Sequence, residues 1–146
     1  MKKMMLAAAM TIMVATAVAR AAELPKELVD PYLQVQAALA SDKLEPVAMH
    51  AKAMNAVAAT LGKDAEALAV TAKKLEDAKD IAAARTAFGE LSAALVAYAE
   101  KTKSELGADV RVAYCPMVNK PWLQKDKEIK NPYYGAAMIS CGSFKK

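Results

Sequence analysis

DIAAARTAFGELSAALVAYAE, residues 80–100, is the stretch that decides the fold. Asp80 stands where a helix cap belongs. Ile81, Ala84, Phe88, Leu91, Leu95 and Tyr98 then follow at spacings of 3, 4, 3, 4 and 3. A helix turns once in about 3.6 residues, so these positions share one face and form an apolar stripe. Gly107 reads as the stop. Three similar segments precede it. Leu28, Tyr32, Val35 and Leu39 run at 4, 3 and 4, with Asp30-Pro31 able to cap or restart that helix. Ser41-Asp42 with Glu45 resembles a capping signal, and Pro46 suits only a first turn. Val47, Ala51, Met54, Ala58 and Leu61 repeat at 4, 3, 4 and 3 up to Gly62, a natural C-terminal stop. A weaker segment from Asp64 to about Ala78 rests on Leu68, Ala72 and Leu75. Sustained 3/4 spacing with short connections predicts an all-α fold, an antiparallel up-and-down bundle of about four helices.

Composition separates this helical part from the C-terminal tail. Residues 22–109 hold 24 alanines in 88 positions, and Ala is the strongest helix former. Residues 110–146 hold both cysteines, Tyr114, Trp122, Tyr133, Tyr134 and Phe144, and three of the six prolines. Charge shifts as well: residues 22–109 have 10 basic and 14 acidic side chains, net −4, while 110–146 have 7 and 2, net +5. Val110 to Tyr114 alternates like a short strand. Cys115-Pro116, Lys120-Pro121 and Asn131-Pro132 then break the chain, and Gly135 and Gly142 permit turns. The expectation is one domain over 22–146, with a helical bundle at 22–109 and an irregular Cys/Met/aromatic-rich C-terminal cap at 110–146.

Residues 1–21 read as a signal peptide. Met1-Lys2-Lys3 is basic, Met4 to Ala19 is uncharged, and Ala19-Arg20-Ala21 offers small residues where a signal peptidase cuts. The apolar run is short for a membrane span, which needs about 20 residues. The chain is therefore expected to be exported or periplasmic and soluble, with no membrane insertion after cleavage. Cleavage would leave 17 basic and 16 acidic residues, net +1. A protein that binds nucleic acid by neutralising phosphates needs a clear basic excess, so a nucleic-acid partner is excluded.

Little in the chain suggests catalysis. His50 is the single histidine, and G-x-S-x-G, H-E-x-x-H, Gly-rich phosphate loops, C-x-x-C and C-x-x-C-H are all absent. No enzyme activity is expected. Sulfur is the exception. Two cysteines in an exported chain suit a Cys115–Cys141 disulfide, which closes a 27-residue loop and stabilises by about 3–4 kcal/mol. The neighbours allow a second reading. Met117 stands two residues after Cys115, and Met138 three before Cys141. Thiolate and thioether are soft donors that favour Cu(I) and Ag(I) over hard cations. Cys115, Met117, Met138 and Cys141 are thus candidate metal ligands. His50 and Met54, at i and i+4 on one helix face, could add to them if that face lies under the tail. As an ordinary arrangement, Met54 is core and His50 is its boundary. Both sulfur readings stay open on the residues alone. Arg85 reads as a surface partner for the acidic bundle.

The tail also carries a resemblance. Cys115-Pro116-Met117, Trp122-Leu123, Asn131-Pro132-Tyr133-Tyr134-Gly135, Met138 and Cys141-Gly142 resemble a family of exported domains of unknown function with the pattern C-P-M, W-L, N-P-Y-[YF]-G, M and C-G. Members occur alone or fused to periplasmic adaptor subunits of copper/silver and other heavy-metal efflux systems. Tyr32, Ala38-Leu39, Ser41-Asp42, Arg85, Phe88, Leu91 and Ser92 extend the resemblance into the helical half. It implies a periplasmic helical domain associated with heavy-metal handling and an efflux adaptor as partner. Cys115, Met117, Met138 and Cys141 fall on the pattern's sulfur positions, and His50 falls on none. Trp122, Asn131, Pro132, Tyr133 and Gly135 match as scaffold. A disulfide-stapled interaction module without metal remains the alternative.

Overall fold

The computed structural model describes residues 21–146. The signal-peptide reading falls, except for Ala21, outside the described residues. Four helices form: α1 at Lys26–Ala40, α2 at Val47–Ala58, α3 at Glu66–Glu76 and α4 at Ile81–Thr102. Each packs on its neighbour in the chain. Their buried faces follow the expected stripes: Leu28, Tyr32, Val35 and Leu39 on α1, Val47, Ala51, Met54 and Ala58 on α2, Leu68, Ala72 and Leu75 on α3, and Ala84, Phe88, Leu91 and Leu95 on α4, whereas Leu61, Ile81 and Tyr98 at the stripe ends are only partly buried. Helix α1 runs through Pro31 without restarting. Asp80 caps α4, accepting the Ala83 N–H at 2.8 Å. That helix ends at Lys103, in the left-handed conformation with φ 53°, rather than at Gly107. Beyond it, Glu105 pairs with the chain before α1: its N–H donates to the Ala22 carbonyl, and its carbonyl accepts from the Leu24 N–H.

The all-α expectation is overturned by the tail. Residues Arg111–Cys115 (β1), Lys120–Gln124 (β2) and Ser143–Phe144 (β3) make a three-stranded antiparallel sheet in the order β2-β1-β3, so the fold is four helices plus a small sheet. The alternation over 110–114 does mark β1. Strand β2 was hidden by Pro121, which reads as a breaker. It breaks nothing here because β2 is an edge strand, where a missing donor is tolerated. Pro121 faces Tyr114 in the register, and Leu123 shares its parity. The Leu123 N–H points away from β1, to the Tyr32 hydroxyl at 3.0 Å, so the donor that Pro121 lacks would also have faced outward. β3 spans only two residues, too short for any periodicity.

Strand β2 seats against both α4 and α1, so the sheet covers the seam between the first and last helices. An aromatic series crosses that seam. The Tyr32 and Phe88 rings stack at 4.9 Å, Phe88 meets Tyr133 at 6.0 Å, and Tyr133 meets Trp122 edge-on at 5.9 Å. Tyr32, Phe88 and Trp122 are fully buried, each worth about 1.5–3 kcal/mol of transfer free energy. No helix among the described residues is long and apolar enough to cross a membrane.

Candidate functional site

The tail is held by three polar locks whose donors and acceptors are matched. Tyr32 Oη lies 2.6 Å from Ser92 Oγ and accepts the Leu123 N–H, joining α1, α4 and β2. Burial pushes the Tyr32 phenol well above the usual tyrosine range, and the nearby Tyr133 adds to this. Gln124, also fully buried, accepts from Trp122 Nε1 at 2.8 Å and from the Lys130 N–H at 3.0 Å. Its amide donates to the carbonyls of Asp126 and Glu128, so one side chain fixes the whole 125–130 loop. Gln36 on α1 then donates to the Lys130 carbonyl at 2.7 Å.

The third lock joins the N-P-Y-Y-G segment to the bundle. Arg85 donates to Asp42 Oδ1 at 2.6 Å, to the Leu39 carbonyl at 3.0 Å and to the Pro132 carbonyl at 3.0 Å. Asp42 Oδ2 accepts the Ala136 N–H at 3.0 Å. The Arg85 hydrogen bond, with that backbone N–H, holds the Asp42 carboxyl below the usual aspartate value. Gly135 is required between them. Its φ is +55°, and an added Cβ would collide with Asp42 Oδ1 and with an Arg85 nitrogen. Asp42 is thus no helix cap. It sits at φ 57°, and its carboxylate is taken by Arg85 and the tail, while α2 starts just after Pro46 with no side-chain cap. Arg85 is no surface residue either, since its side chain is only 18% exposed. A signal for this was present. Arg85, Phe88 and Ser92 keep 3/4 spacing, which puts the guanidinium on the buried face of α4, where a charge needs internal partners.

These locks bring the two cysteines together. Cys115 ends β1 and is fully buried; Cys141 lies in the turn before β3 and is partly exposed. Both are free thiols, and they are neighbours. Burial pushes the Cys141 thiol up, and the charge and hydrogen bonding of Cys115 push in the same direction. Asn131, fully buried, ties the pair. Its Nδ2 donates to Cys115 Sγ at 3.3 Å and to the Cys141 carbonyl at 2.7 Å, while its Oδ1 accepts the Tyr133 N–H at 2.7 Å. Gly142 follows Cys141 at φ +132°, where a Cβ would meet Trp122 at 2.7 Å and the Tyr114 carbonyl at 2.9 Å. Asn131 and Gly142, both pattern residues, are therefore set by the packing around the sulfurs.

A family model described as "Protein of unknown function (DUF3347)" matches residues 28–107. The chain belongs to the DUF3347 family. The match spans the four helices, with Tyr32, Asp42, Arg85 and Ser92 inside it, and stops before the sheet and the cysteines. No curated protein and no solved structure matches the chain.

Within this DUF3347 chain the remaining sulfur candidates are placed less centrally. Met117 lies in the β1–β2 turn and is 62% exposed. Met138 is 38% exposed, and its carbonyl accepts the Cys141 N–H at 3.0 Å. His50 is half-buried on α2, and Met54 is fully buried in the helical core. Helix α2 packs on α1 and α3, whereas β2 packs on α4 and α1. Among the described residues no three His, Cys, Asp or Glu side chains form a metal-holding group. A metal on this pair would have two thiolates as its donors. That donor set fits a soft monovalent ion.

Proposed function

We propose that this chain is an exported, periplasmic soft-metal module that holds Cu(I) or Ag(I) on a Cys/Met cluster, and that it is associated with a metal efflux system. Cys115 and Cys141 supply the thiolates; Met117 and Met138 supply thioethers. The observation that carries the reading is that Cys115 and Cys141, 26 positions apart in sequence, meet at one amide: Asn131 Nδ2 donates to the Cys115 sulfur at 3.3 Å and to the Cys141 carbonyl at 2.7 Å. Cu(I) is satisfied by few donors and prefers sulfur, so a thiol pair with methionines two and three residues away in sequence is chemically suited to it. Asn131 fixes the buried sulfur as an outer partner fixes a ligand. His50 and Met54 take no part. The resemblance of the tail to exported domains fused to efflux adaptors supports a periplasmic adaptor subunit as the partner. The exposed side chains of Met117 and Met138 leave their thioethers open to such a partner or to a transferred ion.

The second reading uses the same adjacency. Neighbouring thiols can be joined, and a Cys115–Cys141 disulfide would make the tail a rigid interaction surface without metal. Thiol titration of protein isolated without reductant, followed by Cu(I) stoichiometry, separates the two. Two free thiols and one Cu(I) per chain are expected. Two blocked sulfurs that bind no Cu(I) even after mild reduction would leave the interaction module.

A further inference from the structure

We infer that the sulfur pair is oxidised in a fixed order by a low-molecular-weight disulfide, which is attacked first by Cys141 and displaced second by Cys115. The inference uses the same two sulfurs as the metal reading but needs no metal.

Thiol–disulfide exchange requires a sulfur that an outside disulfide can approach, because attack passes through a mixed disulfide. Cys141 is partly exposed, and Cys115 is fully buried at the end of β1. The outside molecule can therefore meet only Cys141 in the folded state. Cys115 is positioned for the second step. Its sulfur neighbours that of Cys141, and the Asn131 amide holds both the Cys115 sulfur, at 3.3 Å, and the Cys141 carbonyl, at 2.7 Å.

The chemistry balances. The Cys141 sulfur, after losing its proton, attacks one sulfur of glutathione disulfide. A Cys141–glutathione bond forms, the glutathione S–S bond breaks, and one glutathione leaves and takes up a proton. The Cys115 sulfur, also deprotonated, then attacks Cys141 Sγ. The Cys115–Cys141 bond forms, the mixed disulfide breaks, and the second glutathione leaves and is protonated. Two protein thiols lose two electrons, and one glutathione disulfide is reduced to two thiols.

Reduced, metal-free protein is mixed with glutathione disulfide, quenched by acid at intervals and read by intact mass and peptide mapping. Wild type should end as the internal disulfide with no retained glutathione, and any early adduct should map to Cys141. Cys115→Ser should retain one glutathione on Cys141. Cys141→Ser should be modified at least ~10-fold more slowly than Cys115→Ser, as exposure governs thiol reactivity. If either variant fails to fold, the wild-type time course decides alone. An early adduct on Cys115, equal rates in the two variants, or no oxidation of wild type overturns the inference. Cu(I) binding by the reduced protein is read separately, so neither failure implies the other.

Discussion

Replacing Tyr32 by Phe removes one oxygen at the point where α1, α4 and β2 meet. That oxygen lies 2.6 Å from Ser92 Oγ and accepts the Leu123 N–H at 3.0 Å, and all three residues are fully buried. Ser92 can turn its hydroxyl to a carbonyl one turn back in α4, at small cost. The Leu123 N–H has no such escape, and a buried donor without a partner costs about 1–3 kcal/mol. Phe keeps the ring stacked on Phe88, so no cavity term is added. The expected loss is therefore about 1–3 kcal/mol. Urea unfolding should be followed by two signals: far-ultraviolet circular dichroism for the helices, and fluorescence of Trp122, the single tryptophan, for the sheet. Both signals should change at the same urea concentration in wild type and shift together in the variant, because the lock joins bundle and sheet. Alkaline pH offers a second readout. The folded Tyr32 binds its proton more tightly than a free tyrosine of pKa 10.0, so stability falls as pH rises past that value, and the fall should be shallower in Tyr32→Phe. A loss below ~0.5 kcal/mol, or a Trp122 transition separate from the helical one, would refute the reasoning.

Gly135→Ala should destabilise by about 2–4 kcal/mol in the same assay, since it combines a left-handed φ with a clash on the Asp42–Arg85 pair. Gly89→Ala should be neutral or stabilising by up to ~1 kcal/mol, because its Cβ would meet Lys120 and Tyr133 at an ordinary 3.4 Å. Asp42 titrates below the ordinary aspartate value of 3.8 when folded, so its contribution is intact above that pH and lost as pH falls through the folded value; Asp42→Asn should flatten that part of an acid-unfolding curve. Met117→Leu and Met138→Leu should weaken Cu(I) binding while leaving the melting temperature nearly unchanged, because both side chains reach solvent and the swap roughly conserves volume.

The four helices were legible because 3/4 spacing repeats long enough to outweigh local noise, and their buried stripes are the residues that spacing names. The sheet was only half legible. Alternation over 110–114 marked β1, but Pro121 disguised β2, since edge position and donor direction are tertiary facts that no local pattern carries. Asp42 shows a different limit. A carboxylate after Ser41 looks like a cap, and only the fold reveals that Arg85 and Ala136 claim it, 43 and 94 positions away. For Arg85 the spacing did hold the answer, but surface charge was the simpler reading. The cysteine pair was named from sequence, whereas its asymmetry depends on which residue ends β1. Asn131 was seen as scaffold; that its one amide reaches both cysteines could not be read from residues so far apart.

The most direct test is a competition titration of the fully reduced protein with Cu(I), Ag(I) and Zn²⁺, run in parallel on Cys115→Ser and Cys141→Ser. One Cu(I) or Ag(I) should bind per chain in preference to Zn²⁺, and either serine variant should lose at least ~10-fold in Cu(I) affinity, as soft sulfur donors require. A preference for Zn²⁺, or Cu(I) affinity indifferent to both substitutions, would contradict the soft-metal site.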